Sequence, residues 1–424
     1  MTEAFLQYVW QHNLLEGPLY TTEGQSVVVE RAGELNRDAG PDFIDARVEI
    51  EGIRWAGNVE VHIKSSDWNI HRHSSDKNYN NVVLHVVYVH DTDIVTESGK
   101  PVATVVIADA IPEHIWENYD QLMNAAADCA IPCARRLAEI PDMLFRISQD
   151  RLIVERMERK SVDAERILHE TKGGWEQACY RLTARYFGGR TNAFAFELLA
   201  KTTPMGIVAK IKDKPFRVEA LYFGQAGMLE GEFKDDYPKA LQQEYRYLSA
   251  AYNLTPMAGH LWKFFRVRPA GFPTLRISQF ANLMAGDDNL FSRMLETPDP
   301  VLLRSIFKVE ASEYWTTHYR FDKEAPRRVK PLGKGEVETI LVNAWIPLLF
   351  EYGVMHGDED KKEQAFELLR QLPPEDNRIV RLWENEGVAP ENAADTQALI
   401  QRYNEYCSRK RCLECQIAFR LITK

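Results

Sequence analysis

The stretch GNVEVHIK, from Gly57 to Lys64, decides how this chain is read. Successive side chains of a β-strand point to opposite faces. Val59, Val61 and Ile63 therefore share one face, while Asn58, Glu60, His62 and Lys64 share the other. Two readings fit. The polar face can meet water, the ordinary state of an antiparallel sheet with one side on the core. Alternatively, it is a floor on which chemistry is done.

The segment just upstream bears on that choice. DFIDARVEI (42–50) and IRWAGNVEVHIKS (53–65) flank the turn signal Glu51-Gly52 and so predict a hairpin. GPDF opens the first of these strands, with Asp42 directly after Pro41. Asp42 then falls near Glu60 at one end of the hairpin. Two carboxylates there can hold Mg²⁺ or Mn²⁺, hard ions that take oxygen ligands. Such an ion polarises a phosphate and activates water. The register sets a condition. With a strict two-residue turn, Asp42 faces Val61, so Asp42 and Glu60 point to opposite sides. One extra residue in either strand, or a longer turn, restores a common face. Gly57 is the natural position for that bulge, since glycine inside a strand often marks one.

Working outward, SVVVERAGELN, DFIDARVEI, IRWAGNVEVHIKS, VVLHVVYVH and ATVVIAD are short β-branched runs separated by turn residues. A short amphipathic helix precedes them, its stripe marked by Phe5, Val9, Leu14 and Leu15. After Ile111-Pro112 helical periodicity takes over. It predicts helices over 113–127, 143–170, 174–187, 191–201, 235–252, 273–285, 336–353, 360–371 and 393–406. The expected fold class is α+β: a small strand-rich N-terminal domain over 1–112, then a mainly α-helical region over 113–424, open to division into two subdomains and ending in a cysteine-containing tail.

Pro41-Asp42 followed by Glu60-Val61-His62 resembles the motif of the PD-(D/E)XK nuclease superfamily, over about residues 30–90. The resemblance implies a restriction-endonuclease-like sheet. It implies Asp42 and Glu60 as metal ligands, and a water-activating role at the lysine position, which His62 occupies. Lys64, on the same face, can supply the positive charge instead. Glu34 stands upstream where some members place a further acid. The phrases AGPDFIDARVEI, WAGNVEVHIKSSDWNIHRH, NVVLHVVYVHD, FGQAGML, FRVRPAGFPTLRISQFANL and YCSRKRCLECQI are similar to a bacterial family of about this length known only as a domain of unknown function. That similarity spans most of the chain and implies no activity.

Further chemistry-bearing residues surround this motif. His71 and His73 alternate in an extended segment, so both rings can project the same way, as a metal site uses. In the nuclease reading they and Tyr79 rim the cleft and contact phosphate; in the plain reading they are surface-loop histidines. His85 shares its face with Val83, Val87 and Val89 and points into the core or a site floor. In WKFFRVRPAGFPTLRISQ, Lys263, Arg266 and Arg268 alternate with aromatics. That pattern suits phosphate contacts with base stacking, or a core helix whose basic residues snorkel to solvent. Cys407-x4-Cys412-x2-Cys415 has a spacing that ligates zinc or an iron–sulfur cluster; buried apolar packing is the alternative.

The 424 residues carry a net charge of −10, with 45% hydrophobic and 27% charged residues, an ordinary globular composition. The acidic balance argues against wholesale coating of nucleic acid but leaves room for a local basic groove. The N-terminus lacks the basic-then-apolar pattern of a signal peptide, and no apolar run approaches the ~20 residues of a membrane span. The expected location is cytoplasmic, with reduced thiols and no membrane partner. The leading expectation is a metal-dependent phosphodiesterase acting on DNA or RNA. The alternatives are a non-enzymatic nucleic-acid- or protein-binding module with a degenerate nuclease domain, and a histidine-metal enzyme centred on His71 and His73.

Overall fold

The computed structural model describes residues 1–286 and 289–424, without the side chains of 126–128. The fold is α+β, 57% helical with 12% strand. The chain divides into two compact units, Met1–Ser148 with Arg402–Lys424, and Gln149–Gln401. The strands of the first unit end before residue 112, as the sequence patterning implies. The unit itself extends further and takes back the C-terminal tail.

The N-terminal unit is built on one mixed sheet. Its strands are β1 (Leu19–Tyr20), β2 (Ser26–Arg31), β3 (Glu34–Leu35), β4 (Phe43–Ile50), β5 (Ile53–Lys64), β6 (Val82–Val89) and β7 (Thr104–Val106). The order is β1-β2-β4-β5-β6-β7, with β3 also paired to β4. The first four strands of that order run antiparallel, whereas β5-β6 and β6-β7 are parallel. The β4–β5 hairpin closes at Ile50↔Ile53. Glu51 (φ 50°) and Gly52 (φ 76°) both take the left-handed conformation that matches strand twist in a two-residue turn.

The register of this hairpin is irregular, as a common face for Asp42 and Glu60 requires, but Gly57 is not the cause. Ala46 pairs with Gly57 and Phe43 with Val59, so the extra residue lies in β4, between Phe43 and Ala46. Asp45 makes the kink, with φ 53°, and Arg31 of β2 holds its carboxylate in an ion pair. Gly57 answers to a different constraint. A Cβ there would stand 2.5 Å from Val83 Cγ1 and 2.6 Å from the Asn81 carbonyl oxygen. Glycine lets the start of β6 close onto β5, where Asn58 N–H donates to that same carbonyl at 2.8 Å.

The polar side of β5 is not a solvent face. Glu60 is 4% exposed and His62 fully buried, as are Val59 and Val61 behind them. Helix α1 (Glu3–Gln11) packs on β5, its stripe of Phe5, Leu6, Val9 and Trp10 buried. Residues 65–81 connect β5 to the parallel β6 through helix α2 (Asp67–Ile70) and the 3₁₀ turns His73–Ser75 and Lys77–Tyr79. Two anchors fix this crossover. Ser65 and Ser66 are tied to Asp91 by hydrogen bonds of 2.7–3.0 Å, and buried Trp68 donates from Nε1 to Val95 O at 3.0 Å.

The second unit is helical. It contains most of the predicted helices, observed as Trp175–Phe187, Gly189–Thr202, Asp236–Tyr252, Pro273–Gly286, Glu359–Gln371 and others, and shorter ones such as Met205–Ile211 and Pro215–Gln225, whereas the helix predicted over 113–127, observed as Glu113–Asp128, belongs to the first unit. Buried Arg181 and its neighbours Arg166 and Arg185 converge on Glu197. Among the described residues, one helical stretch, Lys334–His356, is long and apolar enough to cross a membrane, and 72% of its apolar window is buried inside the protein. The sequence expectation of no such run missed it because Glu336, Glu338 and Glu351 interrupt the pattern; the burial is that of a core helix.

Candidate metal centre

The bulge in β4 brings Asp42 opposite Glu60, and the two are clasped reciprocally. Asp42 N–H donates to Glu60 Oε2 at 2.9 Å, and Val61 N–H donates to Asp42 Oδ2 at 3.1 Å. Each carboxylate thus uses one oxygen on the neighbouring strand. Glu60 Oε1 faces two imidazoles, 3.4 Å from His62 Nε2 and 3.2 Å from His73 Nε2. His73 Nε2 is buried and, although close to Glu60, is not aligned with any hydrogen-bond partner.

The β5–β6 crossover delivers the remaining rings. A left-handed residue, Arg72 (φ 64°), turns the chain between His71 and His73. His73 stacks on Tyr79 with ring centroids 3.8 Å apart and meets Trp68 edge-on. The donor atoms of His62, His71 and His73 all lie within 4.8 Å of one another. His62 Nε2 is 3.1 Å from His71 Nδ1, and its other nitrogen, Nδ1, is 2.9 Å from His85 Nε2. His85, on β6, is fully buried behind the trio. A metal-ligating histidine ordinarily carries such a partner on its second nitrogen, which fixes tautomer and ring orientation. His71 is exposed and forms the outer lip.

The electrostatics favour a cation. Burial, with the neighbouring imidazoles His85, His73 and His71 acting in the same direction, lowers His62 to about 2. Burial and the charges of His73 and His90 lower His85 to about 3. Both rings are therefore neutral near pH 7 with lone pairs to offer. Burial and the adjacent Glu60 charge push Asp42 well above the usual carboxylate range, against hydrogen bonds from Gln7 and the Val61 amide. Two carboxylates that repel one another beside neutral imidazoles gain most from a divalent ion. The donor set fits one: nitrogen donors with a carboxylate suit Zn²⁺ or Mn²⁺ better than Mg²⁺, which prefers oxygen and water.

Of the residues singled out in the sequence, Asp42, Glu60, His62, His71 and His73 come together. Lys64 does not join them; it is exposed at the end of β5, where its charge acts on Asp91. Glu34 is exposed and paired with Arg31 at 2.6 Å. Lys263, Arg266 and Arg268 belong to the helical unit and are exposed, with the Arg266 guanidinium over the Phe265 ring. The helix that follows them, Pro273–Gly286, is core: Arg276 is buried and bonded to Glu336 and Gln279. Cys407 and Cys412 are buried and Cys415 half-buried, all three as free thiols.

Two contributors escaped sequence reading. Gln7 hydrogen-bonds Asp42, and Glu3, one helical turn earlier, lies close enough to His71, Glu60, Asp67 and His73 to feel their charges. Polar residues at positions i and i+4 beside the apolar stripe of α1 were the available signal.

Residues 3–378 match the family described as "Protein of unknown function (DUF2851)". No curated protein and no solved structure matches the chain.

Proposed function

The chain belongs to the DUF2851 family, and we propose that its N-terminal unit is a divalent-metal-dependent phosphodiesterase acting on DNA or RNA. One observation carries the reading: Glu60 stands between Asp42 on the adjacent strand and the rings of His62 and His73. A bound divalent ion would polarise a phosphate oxygen and lower the pKa of a bound water. Glu60, His62, His71 and His73 would hold the ion, and Asp42 would complete its shell or hold a coordinated water. Asp42, holding a coordinated water beside the ion, would be the group that accepts the proton of the attacking water. The new bond forms between water oxygen and phosphorus, the bond to the leaving sugar oxygen breaks, and a phosphomonoester and a hydroxyl result. The exposed Lys263, Arg266 and Arg268, beside Phe264 and Phe265, supply the chemistry of phosphate contact and base stacking.

The clasp between the carboxylates favours a second reading. Each spends an oxygen on a backbone amide, as a purely structural link would, and a binding module without catalysis would keep that link. Incubation of the full chain with Mn²⁺ or Mg²⁺ and single- and double-stranded DNA and RNA separates the two. The proposal expects cleavage that Glu60→Ala abolishes. Cleavage that persists unchanged in Glu60→Ala eliminates this site, and metal binding without cleavage of any substrate moves the conclusion to the binding module.

A further inference from the structure

The C-terminal tail forms a compact thiol-bearing knot. Cys407 ends the π-turn Tyr403–Cys407. Left-handed Lys410 (φ 54°) reverses the chain, its amide donating to Cys407 O at 3.1 Å. Cys412 begins the 3₁₀ turn Cys412–Glu414, and Cys415, its amide on Cys412 O at 3.1 Å, precedes the terminal helix Gln416–Ile422. From far upstream, Cys133 leads the 3₁₀ segment Ala134–Glu139 into the same place. Arg136 of that segment binds Asn118 Oδ1 and Leu421 O, and Asn118 binds Ile422 O. The four thiols are mutual neighbours: in each of their six pairings one sulfur lies within electrostatic reach of the other. Cys133, Cys407 and Cys412 are at most 8% exposed. The Arg402 guanidinium acts on Cys133 and Cys407 as a countercharge.

We propose that Cys133, Cys407, Cys412 and Cys415 are the four thiolate ligands of an iron–sulfur cluster. Two observations select this over simple packing and over zinc. The first is the spacing. A C-x4-C-x2-C run with a distant fourth cysteine is the arrangement that two-iron clusters of the plant type use; here the fourth cysteine precedes the run in sequence. The second is the convergence of the thiols. Buried thiols that serve no ligand would be inert apolar packing. Convergence of four of the chain's six cysteines from two distant segments on one spot is what a ligand set requires. The inference is independent of the histidine site.

The test is anaerobic reconstitution of the full chain with ferric iron and sulfide, two of each per chain, followed by removal of unbound ions and assay of both elements. The expected result is iron and sulfide retained in equal amounts with the visible absorbance of the cluster. Cys133→Ser should lose both at least tenfold, while Cys179→Ser, in the helical unit, retains them. Retention of neither element, retention of zinc alone from a mixture of the metals, or a Cys133→Ser protein that holds as much cluster as the native chain overturns the proposal. Should Cys133→Ser fail to fold, the iron and sulfide content of the native chain decides by itself.

Discussion

Replacing Gly57 with alanine tests how the site is assembled. The added methyl would lie 2.5 Å from Val83 Cγ1 and 2.6 Å from Asn81 O, whereas favourable contact needs about 3.5–4.0 Å. Val83 can rotate, but the carbonyl is backbone and accepts the Asn58 amide at 2.8 Å. The start of β6 must therefore retreat from β5. Overpacking of this kind costs about 1–3 kcal/mol, and weakening the amide bond adds about 1 kcal/mol. Gly57 is not among the positive-φ glycines, so alanine also restricts the unfolded chain and offsets about 0.5–1 kcal/mol of this. The net expectation is a loss of about 1.5–3 kcal/mol in the N-terminal unit. Hydrogen exchange of the β5 and β6 amides reads this unit alone, with the Asn58 amide exchanging faster than its neighbours. Protection within about 0.5 kcal/mol of the native chain, with the Asn58 amide unaffected, would show that the close approach at Gly57 carries no weight.

Three further outcomes are expected. In metal-free protein, His62 and His85 are lowered to about 2 and 3 by burial. The unfolded chain, with ordinary histidines, therefore binds protons that the folded chain refuses. Their contribution to stability is complete above pH 6.5 and is lost as pH falls, by about 4 kcal/mol between pH 7 and 5. Asp42, raised to about 7 by burial and the Glu60 charge, takes up a proton in the same window and offsets about 2 kcal/mol. Urea unfolding of Asp42→Asn in the presence of chelator therefore reads the histidines alone, and a flat profile there contradicts the neutral-ring assignment. Trp68→Ala removes a fully buried indole that meets His73 and Tyr79 edge-on and should cost about 3–5 kcal/mol; a fall in melting temperature smaller than that of a surface substitution would sink its role as anchor of the crossover. In the helical unit, Glu197→Gln leaves Arg166, Arg181 and Arg185 without their shared carboxylate and should destabilise by about 2–4 kcal/mol, discounted for partial exposure, as chemical denaturation can measure.

The strands were legible because β-branched runs end at strong turn signals, Glu51-Gly52 above all. The amphipathic helices were legible by their periodicity. Met205–Ile211, Pro215–Gln225 and Pro300–Ile306 were not. Two are short, and Pro215–Gln225 is buried from Val218 to Gln225 with almost no polar face to mark its period. At the site, alternation in β5 correctly grouped Glu60 with His62, yet nothing local said that this face would be buried. That follows from α1 and the crossover closing over it. The bulge was required by the register but misplaced, because glycine in a strand signals either a kink or a close approach, and only the position of β6 distinguishes them. Asp45, the residue that bends β4, depends on an ion pair with Arg31 from another strand. Glu3, Gln7 and Cys133 reach their partners through tertiary contacts that no spacing encodes.

The central claim is that two carboxylates and three imidazoles share one divalent ion. Calorimetric titration of Mn²⁺ into the metal-free chain, beside His73→Ala and Glu60→Gln, tests it most directly. The account predicts about one ion bound per native chain and an affinity reduced at least tenfold in either variant, the scale expected when a ligand or its close partner is lost. Binding of equal strength in all three proteins, or no binding to the native chain, would contradict it.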